Sequence, residues 1–205
     1  MNIVIAGLTA AGKTTHALLI ARSLGYDYVS ASALMLARLS IETGESNTFW
    51  VRRLAEVEKR RDERPVDRDV NEHLRSELHL RDRTVFDSWS AAWLGGPPCV
   101  RIFIESDASS RARKARVSQE PHGPYLPVAG CQELIERKDR STAARLRPLL
   151  GVDIRYDRSP FDLVLDNSML IDEPTIASSV RGIKIFHESL TNAVRRHLDE
   201  PDGLP

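Results

Sequence analysis

Short apolar runs alternate along this chain with longer segments in which apolar residues recur every three or four positions. The short runs are rich in β-branched side chains and predict strands buried in a parallel sheet, whereas the longer segments predict amphipathic helices. The predicted strands are Asn2 to Ala6, Tyr26 to Ser30, Thr84 to Asp87, Cys99 to Ile104 and Phe161 to Asp166. The predicted helices are Thr15 to Leu24, Ala31 to Thr43, Val51 to Arg61, Val66 to Leu80, Ala108 to Ser118, Gln132 to Leu149 and, after Pro174, most of Ile171 to Leu198.

This alternation of strands and helices predicts an α/β fold, in which a mainly parallel sheet has helices on both faces. A chain of 205 residues is long enough for one well-formed core and short for two, so we expect a single domain. In sheets of this kind a ligand binds outside the carboxyl ends of the strands.

One loop at such a strand end carries a specific motif. The first predicted strand runs into Gly7-Leu8-Thr9-Ala10-Ala11-Gly12-Lys13-Thr14-Thr15, which fits G-x-x-x-x-G-K-[ST] and leads into a predicted helix. In this arrangement loop amides and the helix N-terminus point at a polyphosphate, Lys13 reaches the β- and γ-phosphates, and the Thr14 hydroxyl binds Mg²⁺. The sequence therefore predicts a site for a nucleoside triphosphate and Mg²⁺ that includes Gly7, Ala10, Ala11, Gly12, Lys13, Thr14 and Thr15.

Composition excludes other classes of partner. The chain has 29 Lys and Arg against 29 Asp and Glu, so its net charge is zero and nothing favours nucleic acid or a membrane surface. The two cysteines make no disulfide framework, no apolar run has the length of a membrane span, and the first strand begins without a signal-peptide pattern. We expect a cytoplasmic monomer that acts on a small molecule.

Residues 108–149 form an insertion between the fourth and fifth strands, with two basic helices joined by a loop that contains Pro and Gly. Such a unit is typical of a lid, whose closure excludes water and brings guanidinium groups to a transferring phosphoryl group. Arg111, Arg137 and Arg145 are the candidate catalytic arginines. The alternative is a solvated helical hairpin, in which arginines pair with acidic neighbours such as Glu136 and Asp139.

Together these segments resemble the P-loop nucleoside monophosphate kinases, above all the short cytidylate kinases of the archaeal type. The resemblance runs from residue 2 to about residue 190 and includes the P-loop, Val29-Ser30-Ala31, Val85-Phe86-Asp87, Arg137 to Arg145, and Asn167-Ser168. It implies strand order 2-3-1-4-5 and places Asn167 near the adenine of ATP. It also divides the chain into a core (1–30, 83–107 and 150–198), acceptor-binding helices (31–82) and a lid (108–149).

The resemblance implies (d)CMP or a similar nucleoside monophosphate as acceptor, but two of the family's phosphate-binding arginines are replaced. Leu36 and Trp89 stand at the corresponding positions, and neither side chain can bind a phosphate. An acceptor that carries a hydroxyl group instead of a phosphate, for example a nucleoside-like or specialised metabolite, would explain both replacements. A nucleotide-binding regulator without turnover is the third alternative. The candidate acceptor-binding residues are Ser30, Arg38, Arg52, Asp87 and Trp89.

Asp87, at the carboxyl end of the third predicted strand, has two possible roles. It could act as the base for an acceptor hydroxyl, or it could bind Mg²⁺ through water together with Thr14. The three tryptophans, Trp50, Trp89 and Trp93, could form an aromatic acceptor pocket, or they could be core residues.

Overall fold

The computed structural model describes residues 1–41, 49–120 and 125–199; for residues 49–52 it describes the backbone only. The side chains of Trp50 and Arg52, named above, therefore lie outside the described part of the chain. The last residues of the helix predicted to reach Thr43 also lie outside it.

Five parallel strands form one sheet in the order β2-β3-β1-β4-β5, which confirms the predicted fold class and strand order. Ile5 of β1 and Ser30 of β2 both lie opposite Asp87 of β3, and Gly7 lies opposite Ile104 of β4. The register therefore brings the P-loop, Ser30 and Asp87 to the same edge of the sheet. The strands are β1 Asn2–Gly7, β2 Asp27–Ser30, β3 Thr84–Asp87, β4 Cys99–Glu105 and β5 Leu163–Asp166.

Seven α-helices are present in the described ranges, and most of their bounds lie within a few residues of the predicted ones. The prediction that the second helix reaches Thr43 is wrong: α2 ends at Arg38, and Ser40 has a positive φ of 53°, which a continuing helix does not allow. The helix α6 begins four residues earlier than predicted, directly after Pro127. The helices are α1 Lys13–Leu24, α2 Ala31–Arg38, α3 Phe49–Glu63, α4 Val66–Leu80, α5 Ala108–Val117, α6 Val128–Leu150 and α7 Ile176–Asp199. Within the part of the chain that the structure describes, no helix is both long and apolar enough to span a bilayer.

Buried apolar residues form a cluster on each face of the sheet. On one face α2, α3 and α4 pack over Val4 and Phe86, and on the other α1 and α7 pack over Ile3 and Val85. The pair α5–α6 adds a smaller cluster that reaches Ala10 of the P-loop. The sheet is thus held rigidly on both faces, while the loops at its carboxyl edge are left to form a site.

Candidate functional site

The P-loop adopts a backbone conformation that depends on its glycines. Gly7 has φ +152°, and a Cβ there would lie 2.7 Å from the carbonyl oxygen of Ile104 on the neighbouring strand. Gly12 has φ +99° and is the N-cap of α1. Ala10 also has a positive φ, 61°, which costs energy for a residue with a side chain. The loop therefore stores strain to keep its amides at the helix N-terminus, where an anion would bind.

Lys13 lies half-buried at the start of α1 and is held within the loop. Its Nζ donates to the carbonyl oxygen of Leu8 at 2.9 Å and lies 5.3 Å from the centre of the Trp89 ring. Burial lowers the pKa of Lys13, and the carboxylates of Asp87 and Asp139 oppose part of that shift. A desolvated ammonium group in this position would gain strongly from a nearby phosphate.

Asp87 lies at the end of β3, only 6% exposed, and accepts two hydrogen bonds on Oδ2. The hydroxyl of Thr14 donates to it at 2.5 Å and the phenol of Tyr28 at 3.1 Å. Burial and the negative charge of Asp87 raise the pKa of Tyr28 well above its ordinary value, so the phenol remains a donor. The neighbouring strand thus fixes the Asp87 carboxylate beside the P-loop hydroxyl.

This pairing of a hydroxyl and a carboxylate fits Mg²⁺, which proteins usually bind through one or two side chains, phosphate oxygens and water. Across residues 1–41, 49–120 and 125–199 there is no group of three or more His, Cys, Asp or Glu residues placed to hold a metal. A metal at Thr14 and Asp87 would therefore take its remaining ligands from the nucleotide and from solvent.

A buried ion pair connects helices α5 and α6 to the P-loop. Arg111 of α5 donates through Nη1 to Asp139 Oδ2 of α6 at 2.5 Å and to the carbonyl oxygen of Thr9 at 3.1 Å. The second oxygen of Asp139 accepts from the backbone amide of Thr9 at 3.0 Å. Both side chains of the pair are 6% exposed. Arg111 therefore supports the P-loop backbone from behind.

Lys138, next to Asp139 in α6, lines the pocket beside the P-loop. Burial and the nearby charge of Lys13 lower the pKa of Lys138 to about 7. The sequence prediction concentrated on the arginines of this helix and missed Lys138, because helical periodicity alone does not show which basic residue faces the cavity.

Asn167 bridges the P-loop and α5. Its Nδ2 donates to the carbonyl oxygen of Ala11 at 2.9 Å, and its Oδ1 accepts from Lys114 Nζ at 2.5 Å. Lys114 also donates to Ser106 Oγ at 2.8 Å, and burial lowers the pKa of Lys114 to about 8.

His16, only 2% exposed, lies behind Gly12 with its ring centre 4.8 Å from that of Phe186, and burial lowers the pKa of His16 to about 3. Sequence reasoning missed both Lys114 and His16.

One cavity of about 530 Å³ joins these groups and continues past Asp87 towards α2, α3 and α4. Most of the residues predicted from the sequence for nucleotide and acceptor line this cavity. They are Ala10, Ala11, Gly12, Lys13, Thr14, Thr15, Ser30, Asp87, Trp89 and Asn167. Gly7 lies beneath the loop, where its role is to allow close approach to β4.

None of the predicted arginines Arg38, Arg111, Arg137 and Arg145 lines this cavity. Arg145 donates to Asp62 of α3 at 2.6 Å, and Arg137 lies 3.8 Å from Glu58 of the same helix. Acidic residues of α3 thus pair with these two arginines of α6. Their contact with a phosphate stays a prediction.

Trp93 also lies outside this cavity. Its Nε1 donates to Asp157 at 2.7 Å and its ring packs edge-on against Phe161, 5.1 Å between centres. Trp93 is therefore a packing residue, whereas Trp89 lines the cavity.

Comparison with known proteins identifies the family of this chain. The family model described as the cytidylate kinase-like family matches residues 2–169 of the chain. The chain belongs to the cytidylate kinase-like family. The predicted resemblance and the predicted enzyme class, a phosphotransferase, are thereby confirmed.

Two relatives named cytidylate kinase show how far this similarity extends. The chain is 29% identical to one from Natronomonas pharaonis over 201 residues, which covers 98% of this chain and 94% of the relative. It is 31% identical to one from Pyrobaculum aerophilum over 172 residues, which covers 82% of this chain and 84% of the relative. A solved structure of an uncharacterised protein from Eubacterium ventriosum shares the fold, with a TM-score of 0.56, 13% identity, and coverage of 92% of this chain and 98% of that one.

Proposed function

We propose that this protein transfers the γ-phosphoryl group of ATP to a small acceptor bound between the P-loop and helices α2 to α4. The observation that carries the proposal is that Lys13, Thr14 and Asp87 converge at the P-loop on a cavity that continues beyond it. The family assignment supports the same class of reaction.

Each residue has a role that its position supports. The loop amides and Lys13 would hold the β- and γ-phosphates, and the positive charge of Lys13 would stabilise the charge that develops on the transferring group. Thr14 and Asp87 would hold Mg²⁺, which supplies further charge neutralisation. Asn167 would hold the adenine side of the site, since it already ties the P-loop to the turn after β5.

Relatives named cytidylate kinase make (d)CMP the first acceptor to test. A hydroxyl-bearing acceptor is the second candidate, because Leu36 and Trp89 both line the cavity where phosphate-binding arginines were expected. Arg38 and Arg52 were the other predicted acceptor contacts. Arg38 lies outside the lining residues, and the side chain of Arg52 lies outside the described part of the chain.

The test is a coupled assay of ATP consumption with Mg²⁺ across nucleoside monophosphates, nucleosides and hydroxylated metabolites. We expect acceptor-dependent ADP formation by the wild type. Tight binding of ATP without turnover on any acceptor would instead support the regulator alternative. The same samples examined by sedimentation would check the proposed monomer against a mass of 23.0 kDa.

A further inference from the structure

Tyr28 of β2 brings a phenol group to the carboxyl end of the neighbouring strand. Tyr28 lies opposite Val85 of β3 and Ser30 lies opposite Asp87, so Tyr28 and Asp87 are diagonal neighbours on one face of the sheet. An aromatic side chain is long enough to reach a diagonal neighbour. The phenol oxygen lies 3.1 Å from Asp87 Oδ2, and the side chain also lines the cavity. Tyr28 therefore reaches the site from a strand that carries neither the P-loop nor Asp87.

Tyr28 and Thr14 hold the Asp87 carboxylate by the same oxygen. Thr14 of α1 donates to Oδ2 at 2.5 Å and Tyr28 donates to it at 3.1 Å, whereas no hydrogen bond between described residues ends on Oδ1. With a single donor the carboxylate would rotate easily, because the terminal torsion of an aspartate has broad energy wells. Two donors on different elements keep Oδ2 in place and thereby fix the direction in which Oδ1 points.

The ring and the hydroxyl of Tyr28 have separate roles. The ring packs against the apolar cluster beneath α1 and α7, which includes Ile3 and Val85. The hydroxyl stays protonated, because burial and the charge of Asp87 raise the pKa of Tyr28. Phenylalanine at this position would keep the packing and lose only the hydrogen bond to Asp87. The role of the hydroxyl can thus be tested without disturbing the core.

The position of Asp87 Oδ2 matters for the oxygen of Thr14. A hydroxyl that binds a cation gives its lone pairs to the metal and its proton to another acceptor. Asp87 Oδ2 accepts that proton in the structure, so the lone pairs of Thr14 remain available for Mg²⁺. Oδ1 remains available for a water molecule of the Mg²⁺ hydration shell, most of which this ion usually keeps. Both features depend on the orientation of one carboxylate.

Resting on the function proposed above, we propose that Tyr28 is a positioning residue of the magnesium site, whose hydroxyl holds Asp87 in the orientation that binding of the Mg²⁺ complex of ATP requires. Replacing a residue that orients the ligands of a metal commonly lowers metal affinity about 10- to 100-fold. Binding of the metal-free nucleotide depends instead on the loop amides and Lys13, which Tyr28 does not contact through a described hydrogen bond. Loss of the hydroxyl therefore weakens the contribution of Mg²⁺ to nucleotide binding selectively.

The first experiment measures binding of a non-hydrolysable ATP analogue by isothermal titration calorimetry, once with Mg²⁺ and once with EDTA. In Tyr28→Phe the Kd with Mg²⁺ should rise about 10-fold relative to the wild type, and the Kd with EDTA should change less than about twofold. The Mg²⁺ concentration that gives the half-maximal rate should rise by a similar factor, with the acceptor that the ATP-consumption assay identifies. An equal rise in both Kd values, or no change in either, would overturn the proposal.

Tyr26→Phe is the matched control, because Tyr26 directly precedes β2 and packs against the same apolar cluster. Both Kd values of this variant should equal those of the wild type. The phenol of Tyr28 also lies close to Ser30, a predicted acceptor contact. A higher KM for the acceptor with unchanged Mg²⁺ dependence would therefore assign the phenol to acceptor binding and overturn the proposal. If Mg²⁺ does not tighten analogue binding even in the wild type, the result counts against the function proposed above and not against Tyr28 alone.

The second experiment tests whether Tyr28 acts through Asp87. In an Asp87→Asn background, Tyr28→Phe should change the Kd with Mg²⁺ by less than about twofold, because the carboxylate that the phenol holds is already gone. An undiminished effect of Tyr28→Phe in that background would show that the two residues act independently and would overturn the proposal. Circular dichroism checks that each variant is folded, and Tyr28→Met replaces Tyr28→Phe in both experiments if the latter does not fold.

Discussion

Lys13 is the residue on which the donor half of the site depends most. Its ammonium group is poorly solvated, and its hydrogen bond to Leu8 keeps it folded back onto the P-loop. When a triphosphate enters, this charge gains a strong partner at little cost in reorganisation.

We expect Lys13→Ala to lower phosphoryl transfer by about 10²-fold or more, because the transition state loses a charge-assisted contact. The fold should persist, since the substitution removes a half-buried cation whose pKa is already lowered by desolvation. Steady-state kinetics and circular dichroism check this prediction, with the exposed Lys184→Ala as the control for loss of a lysine. Turnover near the wild-type rate in Lys13→Ala would contradict the kinase function.

Asp87→Asn separates the two roles left open for this carboxylate. If Asp87 is the base, kcat should fall by about 10²- to 10⁴-fold with little change in the KM of the acceptor. If Asp87 holds Mg²⁺ through water, higher Mg²⁺ concentrations should partly restore kcat. A titration of Mg²⁺ at saturating acceptor distinguishes the two results, and an unchanged rate in the variant would exclude both.

At the scale of elements, helices α5 and α6 are joined to the P-loop by charge rather than by apolar packing alone. The pair Arg111–Asp139 is shielded from solvent and holds both backbone groups of Thr9. Arg137 and Arg145, on the same helix as Asp139, pair instead with α3. Arginines that the sequence pattern could not distinguish therefore form ion pairs with different helices.

Arg111→Ala should reduce the free energy of unfolding by about 3–5 kcal/mol, because it leaves the carboxylate of Asp139 buried without its partner. Arg140, whose side chain is 64% exposed and 3.8 Å from Glu136, provides the control. Arg140→Ala should change stability by less than about 1 kcal/mol. Urea titrations of both variants measure the two changes in the free energy of unfolding. Equal changes would show that the buried pair stabilises the fold no more than an exposed one.

Lys138 makes stability depend on pH. The pKa of Lys138 is about 7 in the folded protein, because of burial and the charge of Lys13, but 10.5 as the ordinary value that we expect when unfolded. Between these values the unfolded chain binds more protons, so this residue makes stability rise with pH from about 7 to 10.5. Below that range both states are protonated and the cost is constant.

The stability gained by Lys138→Met should therefore be largest at pH 6 and clearly smaller at pH 9. Urea unfolding of wild type and variant at the two pH values measures the difference, with the exposed Lys184→Met as the control. A gain that does not depend on pH would show that Lys138 keeps its ordinary pKa.

At the scale of the whole molecule, the proposed division into a core, acceptor-binding helices and a lid predicts a response to ligands. The lid, 108–149, contacts the P-loop through Asp139, and α3 through Arg145. A bound triphosphate would offer the lid arginines new partners, and closure would then reduce the mobility of the insertion.

Limited proteolysis should therefore show stronger protection of residues 108–149 when a non-hydrolysable ATP analogue, Mg²⁺ and an acceptor are present together. The analogue at 100 times its Kd should also stabilise the fold by about 2.7 kcal/mol. Lys13→Ala should weaken both effects. Identical cleavage with and without ligands would favour a rigid helical hairpin over a lid.

The sequence by itself determined the α/β class, the approximate position of each strand and α-helix, and the P-loop, because each depends on residues close together in the chain. Apolar periodicity defined α4 as Val66–Leu80 without error, and the P-loop motif is contiguous. The strand order came from the resemblance to a family, which the sheet confirms. These are features in which local physical chemistry and the tertiary fold agree.

Only the tertiary structure decided which side chains meet across the cavity. The partners Arg111 and Asp139 are 28 residues apart, Tyr28 and Asp87 are 59 apart, and Ser90 and Asn71 are 19 apart. Whether such groups come within hydrogen-bond distance depends on strand register and helix packing, which no local pattern encodes. For the same reason the basic residues of α6 led us to predict catalytic arginines in that helix. Helix packing instead places Lys138 at the cavity, and it places Arg137 and Arg145 beside the acidic residues of α3.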